Sequence, residues 1–145
     1  MRRTFQGHAA DLSIDTRAFA VATRPADRII LPVQGTDEEF FAQQWAVEFA
    51  ASTALPIRAI HVAAPGAKTP NDVFLFLRRF AEKWGVQLET AILEGDVVRE
   101  LLRETDVRDL VIIGTRRLAT QYHVGSVAAA LIRLVPCPVQ VVRIP

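Results

Sequence analysis

The sequence predicts an α/β fold, a single doubly wound (Rossmann-like) five-stranded parallel sheet with helices on both faces. Three observations predict it. Apolar runs such as Ile29 to Val33, Ile57 to Val62 and Leu110 to Ile113 are short and continuous, as in strands covered on both faces. Between them apolar residues recur at three- and four-residue spacing, the period of a helix with one buried face. Strand and helix alternate from Arg28 onward, which calls for right-handed βαβ crossovers and a parallel sheet.

Residues 1–27 read as an N-terminal arm. Only short apolar pieces, Leu12 to Ile14 and Ala18 to Ala22, stand among polar residues there. An extra short strand around Ala18 to Thr23 is one reading, and a loosely ordered leader the other. Residues 28–145 make the α/β domain. After the first strand, Thr36 and Glu39 have the spacing of a capping box, in which Glu39 reaches back to a free backbone donor. The helix that follows is expected to bury Phe41, Trp45 and Phe49. Ile57 to Val62 is the second strand. Asn71 caps a second helix with Val73, Leu77, Phe80 and Trp84 on one face, and Gly85 stops it.

Val86 to Leu93 alternates apolar and polar, which suits an edge strand. Asp96 is the N-cap of a third helix with Val98, Leu101 and Leu102 inward. A fourth strand, Leu110 to Ile113, ends at Gly114, and the interval to Gly125-Ser126 reads as a loop. Val127 to Val135 is the fourth helix, broken by Pro136-Cys137-Pro138 before a last strand, Val139 to Arg143. In such sheets the ligand crevice lies at the carboxyl ends of the strands, where the winding reverses. That selects the loop from Gln34 to Asp37 and the loop from Gly114 to Ser126.

Composition narrows the function. With 145 residues, half of them hydrophobic, the chain can bury a core without disulfides or metal. Seventeen Lys and Arg against sixteen Asp and Glu leave a net charge of +1, no field for nucleic acid or an anionic membrane. Arg78-Arg79 and Arg116-Arg117 are isolated pairs without interleaved aromatics, so no nucleic-acid surface is expected. Met1-Arg2-Arg3 is followed by polar residues where a signal peptide needs an apolar run, and no window approaches a membrane span, so the cytoplasm is the expected compartment.

The one cysteine, Cys137, excludes an intramolecular disulfide and a cysteine-type metal site, and reads as a small buried hydrophobe. Asp106 and Asp109 look like capping and solvated charges, and no Ser-His-Asp or Cys-His arrangement can be assembled. No catalytic residue and no metal site are therefore expected. His61 reads as a packed, hydrogen-bonded histidine. Tyr122 and His123 are loop residues beside the crevice.

Val111-Ile112-Ile113-Gly114-Thr115-Arg116-Arg117, then Gly125-Ser126-Val127, then Pro136-Cys137-Pro138-Val139-Gln140-Val141-Val142-Arg143 resemble the universal stress protein family. Ile30 to Thr36 is similar to that family's first strand and loop, and Gly95-Asp96-Val97 to the start of its third helix. The resemblance covers about four fifths of the chain. It implies a dimer through the last strand (Val139, Val141, Val142, Arg143) and, in many members, ATP in the crevice. The positions it marks for a nucleotide or anion are Pro32, Gln34, Gly35, Val62, Gly114, Arg116, Arg117, Gly125, Ser126 and Val127. The chemistry fits a phosphate: glycines admit it to the backbone, and a hydroxyl and free N–H groups meet it at a helix start.

Three departures stand out. Gln34 replaces the strand-one Asp, Arg117 replaces the second glycine, and the residues from Leu118 to Val124 make the following interval two shorter than the ATP-binding spacing. This is similar to the family's branch that dimerises without ATP. Arg116 and Arg117 read either as a phosphate grip or as a solvated loop tip. The expected function is a non-catalytic, stress-associated dimeric binding or signalling module with ATP binding weak or lost. The alternative is a switch that takes ATP, AMP or another adenine nucleotide.

Overall fold

Ile29, Ile30 and Leu31 are almost wholly buried, as befits the middle strand of a sheet sandwiched between helices. The computed structural model describes residues 26–36, 39–68, 72–118, 121–123 and 125–143; for 116–118 and 121–123 it describes the backbone alone. The elements run β1 (Arg28–Pro32), α1 (Glu39–Thr53), β2 (Ile57–Ala63), α2 (Leu75–Trp84), β3 (Leu88–Glu94), α3 (Val97–Glu104), β4 (Asp109–Gly114), β5 (Arg116–Leu118), β6 (Gln121–His123), α4 (Ser126–Leu134) and β7 (Val139–Val142). The main sheet has the order β3-β2-β1-β4-β7, with parallel pairing throughout. The chain winds outward from β1 to β3, then returns to β1's other side with β4. That reversal opens a crevice between β1 and β4 at their carboxyl ends.

Side-chain alternation divides the core into two layers. Ile29, Leu31 and Val33 meet Ala42, Ala46, Val47 and Ala50 of α1 and Leu77 and Ala81 of α2. Ile30, Ile60, Val111 and Ile113 meet Leu101 of α3 and Ala128 and Leu131 of α4. The helix ends obey their local signals. Asp96 accepts the Arg99 N–H at 3.0 Å, and Gly85 takes the left-handed conformation (φ 67°) that ends α2. The alternating third strand lies at a sheet edge, as its pattern implies.

The structure corrects several expectations. The face α1 buries is Ala42, Gln43, Ala46, Val47 and Ala50, not Phe41, Trp45 and Phe49. Small residues let the helix backbone approach the sheet, while the aromatics flank the contact; Phe41 is 40% exposed, and Trp45 and Phe49 stack at 5.2 Å. Trp84 lies similarly outside, and Leu77 and Ala81 carry α2's burial. Val97 and Leu101, rather than Val98 and Leu102, pack α3 inward. Asp109 is not solvated: it is buried and paired with Arg28. The interval after Gly114 is not a plain loop but holds the antiparallel pair β5–β6, Arg116 opposite His123 and Leu118 opposite Gln121. The arm to Pro25, its proposed strand and the Asn71 cap fall outside the described residues.

Candidate functional site

A cleft of about 290 Å3 occupies the crevice. One wall comes from the end of β1, the loop after it and α1: Pro32, Gln34, Thr36, Glu39, Ala42 and Gln43. The other comes from β4 and the start of α4: Ile113, Gly114, Thr115, Gly125, Ser126 and Val127. Gly125 is extended (φ −61°, ψ 166°) and caps α4 without a side-chain bond, so the helix begins in the cleft with its dipole's positive end.

The β1–α1 loop carries the most distinctive local chemistry. Gly35 sits at φ 92°, a conformation glycine adopts freely. This turn aims consecutive N–H groups at one point, a concavity that suits an anion. Here the anion comes from the chain itself. The Gln34 N–H donates to both Glu39 carboxylate oxygens at 2.8 Å, and the Gly35 N–H to Oε1 at 3.3 Å. Glu39 therefore reaches past Thr36, the partner a capping box would give it, to the end of β1. Burial holds its carboxyl above the ordinary 4.5, opposed by these N–H bonds, by Gln43 and by the nearby His61.

Gln43 stands one turn further along α1 and is 3% exposed. Its Nε2 donates to Glu39 Oε1 at 3.4 Å, while its Oε1 accepts nothing among the described residues. His61, also buried, bonds through Nδ1 to the Val33 carbonyl at 2.8 Å, the packed role expected of it. The carbonyl can only accept, so Nδ1 carries the proton.

Of the residues marked from sequence, Pro32, Gln34, Gly114, Gly125, Ser126 and Val127 are brought together in this cleft. Gly35 adjoins it through the Glu39 bond, and Val62 instead packs toward the α3–α4 layer. Arg116 and Arg117 lie on β5, where only the backbone is described. Glu39 and Gln43 were missed as site residues. A readable signal existed in their four-residue separation on a face otherwise filled by Ala42, Ala46 and Ala50.

At the sheet's far edge, Val111 N–H donates to the Pro138 carbonyl and Thr115 N–H to that of Val142. Alternation then turns the backbone of Val139 and Val141 outward. The Val141 carbonyl accepts the Gln140 side-chain amide at 3.2 Å. The Val142 side chain is buried within its own core, and Arg143 is exposed. Burial raises the Cys137 thiol above its ordinary range, in keeping with an inert small hydrophobe. Among the described residues no helix is long and apolar enough to cross a membrane, and no cluster of His, Cys, Asp and Glu could hold a metal.

Comparison with known proteins agrees with this architecture. A universal stress protein of Methanocaldococcus jannaschii is 27% identical, over 81% of this chain and 82% of its own. One from Mycobacterium tuberculosis is 28% identical over 83% of this chain, which spans half of that protein's length. Among solved structures, a universal stress protein in complex with cAMP superposes with a TM-score of 0.68 at 22% identity, covering 83% of this chain and 99% of that one. An Archaeoglobus fulgidus universal stress protein in complex with dAMP gives 0.58 at 20% identity, covering 81% and 98%. The family profile itself matches residues 25–143, and the chain belongs to the universal stress protein family.

Proposed function

We propose that this chain is a stress-associated, non-catalytic binding module whose cleft holds ATP weakly or not at all. One observation carries the reading: the Glu39 carboxylate fills the N–H concavity after β1 and brings negative charge to the wall of the cleft. Neutral Gln34 stands beside it, where the family's ATP pattern has an Asp. A triphosphate would have to enter past an acidic group already holding the loop's donors. Calorimetric titration with Mg-ATP is expected to give no site tighter than about 100 μM, equivalent to about −5.5 kcal/mol. A low-micromolar site would overturn the proposal.

A second reading, a switch worked by a nucleotide of lower charge, has separate support. Gly114, Gly125 and Ser126 keep an anion-compatible helix start, and two structural neighbours hold cAMP or dAMP. Arg116 would add positive charge on this reading.

The module is further proposed to be a homodimer through β7. The outward backbone of Val139 and Val141 is a template for antiparallel pairing with a second copy across a two-fold axis. Val141→Pro removes an outward N–H while sparing the β4 ladder. Sedimentation should shift from dimer to monomer in that variant. A wild-type monomer at about 100 μM, well above the Kd of a stable dimer, would refute the idea.

A further inference from the structure

We propose that the Glu39–Gln43 pair reads a purine base with two adjacent N–H donors, the guanine type, in preference to adenine. The inference rests on the reading that the cleft holds a nucleotide, and concerns which base it takes. If the phosphate lies at the α4 start, by Gly125 and Ser126, the opposite wall is left for the base. That wall contains Glu39 and Gln43.

The pair offers acceptors. Gln43's amide donor is already engaged on Glu39 Oε1, and this bond sets the amide's orientation, since an oxygen turned toward the carboxylate would be repelled. Gln43 Oε1 is thereby left without a partner among the described residues, on a side chain 97% buried, where an unmet acceptor is costly. Among the described residues, Glu39 Oε1 already takes three donors, from Gln34, Gly35 and Gln43, but Oε2 takes only the Gln34 N–H. A carboxylate oxygen has room for a second donor. Two unfilled acceptors thus stand on neighbouring turns of α1, and the loop N–H groups fix one of them.

Guanine's N1–H and exocyclic N2–H groups form a donor pair with one hydrogen for each acceptor. Adenine presents one donor, its exocyclic amine, beside the lone pair of N1. That lone pair would face an acceptor. A site with buried polar groups discriminates strongly against a partner that leaves one unpaired.

The experiment is a calorimetric titration of the full chain with GMP and AMP at pH 8, on wild type, Glu39→Gln and Gln43→Leu. Wild type should bind GMP about tenfold more tightly than AMP, the discrimination of one good bidentate base contact. Glu39→Gln places an acceptor and a donor where two acceptors stood, a pattern that fits adenine, and should bring the ratio to parity or reverse it. Gln43→Leu should lower GMP affinity and leave AMP within about twofold, the scatter expected of a non-participating position. A merely structural role for the pair would weaken both nucleotides equally. Equal or tighter AMP binding by wild type, or an unchanged ratio in both variants, would overturn the inference and leave the nucleotide reading standing. Binding of neither nucleotide at about 1 mM would overturn that reading and the inference with it.

Discussion

At the amino ends of the strands the Asp109 carboxylate is gripped by the Arg28 guanidinium through bonds of 3.0 and 3.1 Å, whereas at the carboxyl ends Glu39 is held, among the described residues, by N–H groups without a cation among its hydrogen-bond partners. Both groups are withdrawn from water. Around Asp109 the arrangement extends: Arg28 also donates to the Glu104 carbonyl, Arg58 pairs with Glu89 and Glu104, and the Asp106 N–H donates to Asp109. Among the described residues, Arg58 Nε is the one buried polar side-chain atom there without a partner. Around Glu39 the neighbouring Gln43 keeps an acceptor unfilled among the described residues. Among the described residues, the carboxylate is paired with a cation where the sheet is closed and with N–H groups where the winding reverses. Ion pairing, rather than the tally of unmet buried polar atoms, thus separates the end that holds the fold from the end where the crevice opens.

The comparison can be broken most directly at its closed end. Asp109→Ala strands the Arg28 guanidinium, and is expected to cost about 2–3 kcal/mol in urea unfolding. That is below the fully buried range, because a third of the Arg28 side chain stays in water. A loss no larger than about 0.5 kcal/mol, the scale of a surface substitution, would show that the two ends do not differ in this way.

A smaller effect sharpens the open end. Because Glu39 is raised above 4.5 in the folded chain, the native state binds its proton more tightly than the unfolded state does. The resulting stability is fully present below 4.5 and is lost as pH rises through the raised value. Acidification from neutrality should therefore stabilise wild type relative to Glu39→Gln. Parallel stability–pH curves for the two proteins would contradict the assigned cause.

Much of the frame was legible because it depends on neighbours in sequence. Asp96 as an N-cap, Gly85 as a helix stop and the alternation of strands with helices follow from local backbone chemistry and hydrophobic period. The misreadings share another origin. Aromatic residues at 41, 45 and 49 have the period of a buried face, but helix-to-sheet distance decides the matter, and a row of alanines permits the closer approach. Asp109 looked solvated because its partner, Arg28, lies 81 residues away. In the cleft, Gly114, Gly125 and Ser126 were marked by the family resemblance. The Glu39 contact was not, because it needs the left-handed turn at Gly35 to aim the N–H groups backward.

The chain reversal that forms the crevice also sets a schedule for folding. β1 can pair with β2 soon after synthesis, yet its other edge waits for β4, whose pairing with Arg28 begins at Asp109. At ordinary translation rates the residues between Pro32 and Gly114 take roughly 4–16 s to make. For that interval the central strand of the sheet has an unpaired edge, and loop closure over so long a separation is slow in any case. Destabilising β4 or the Arg28–Asp109 pair would therefore tell on the yield of folded chain emerging from the ribosome as well as on the stability of the finished domain.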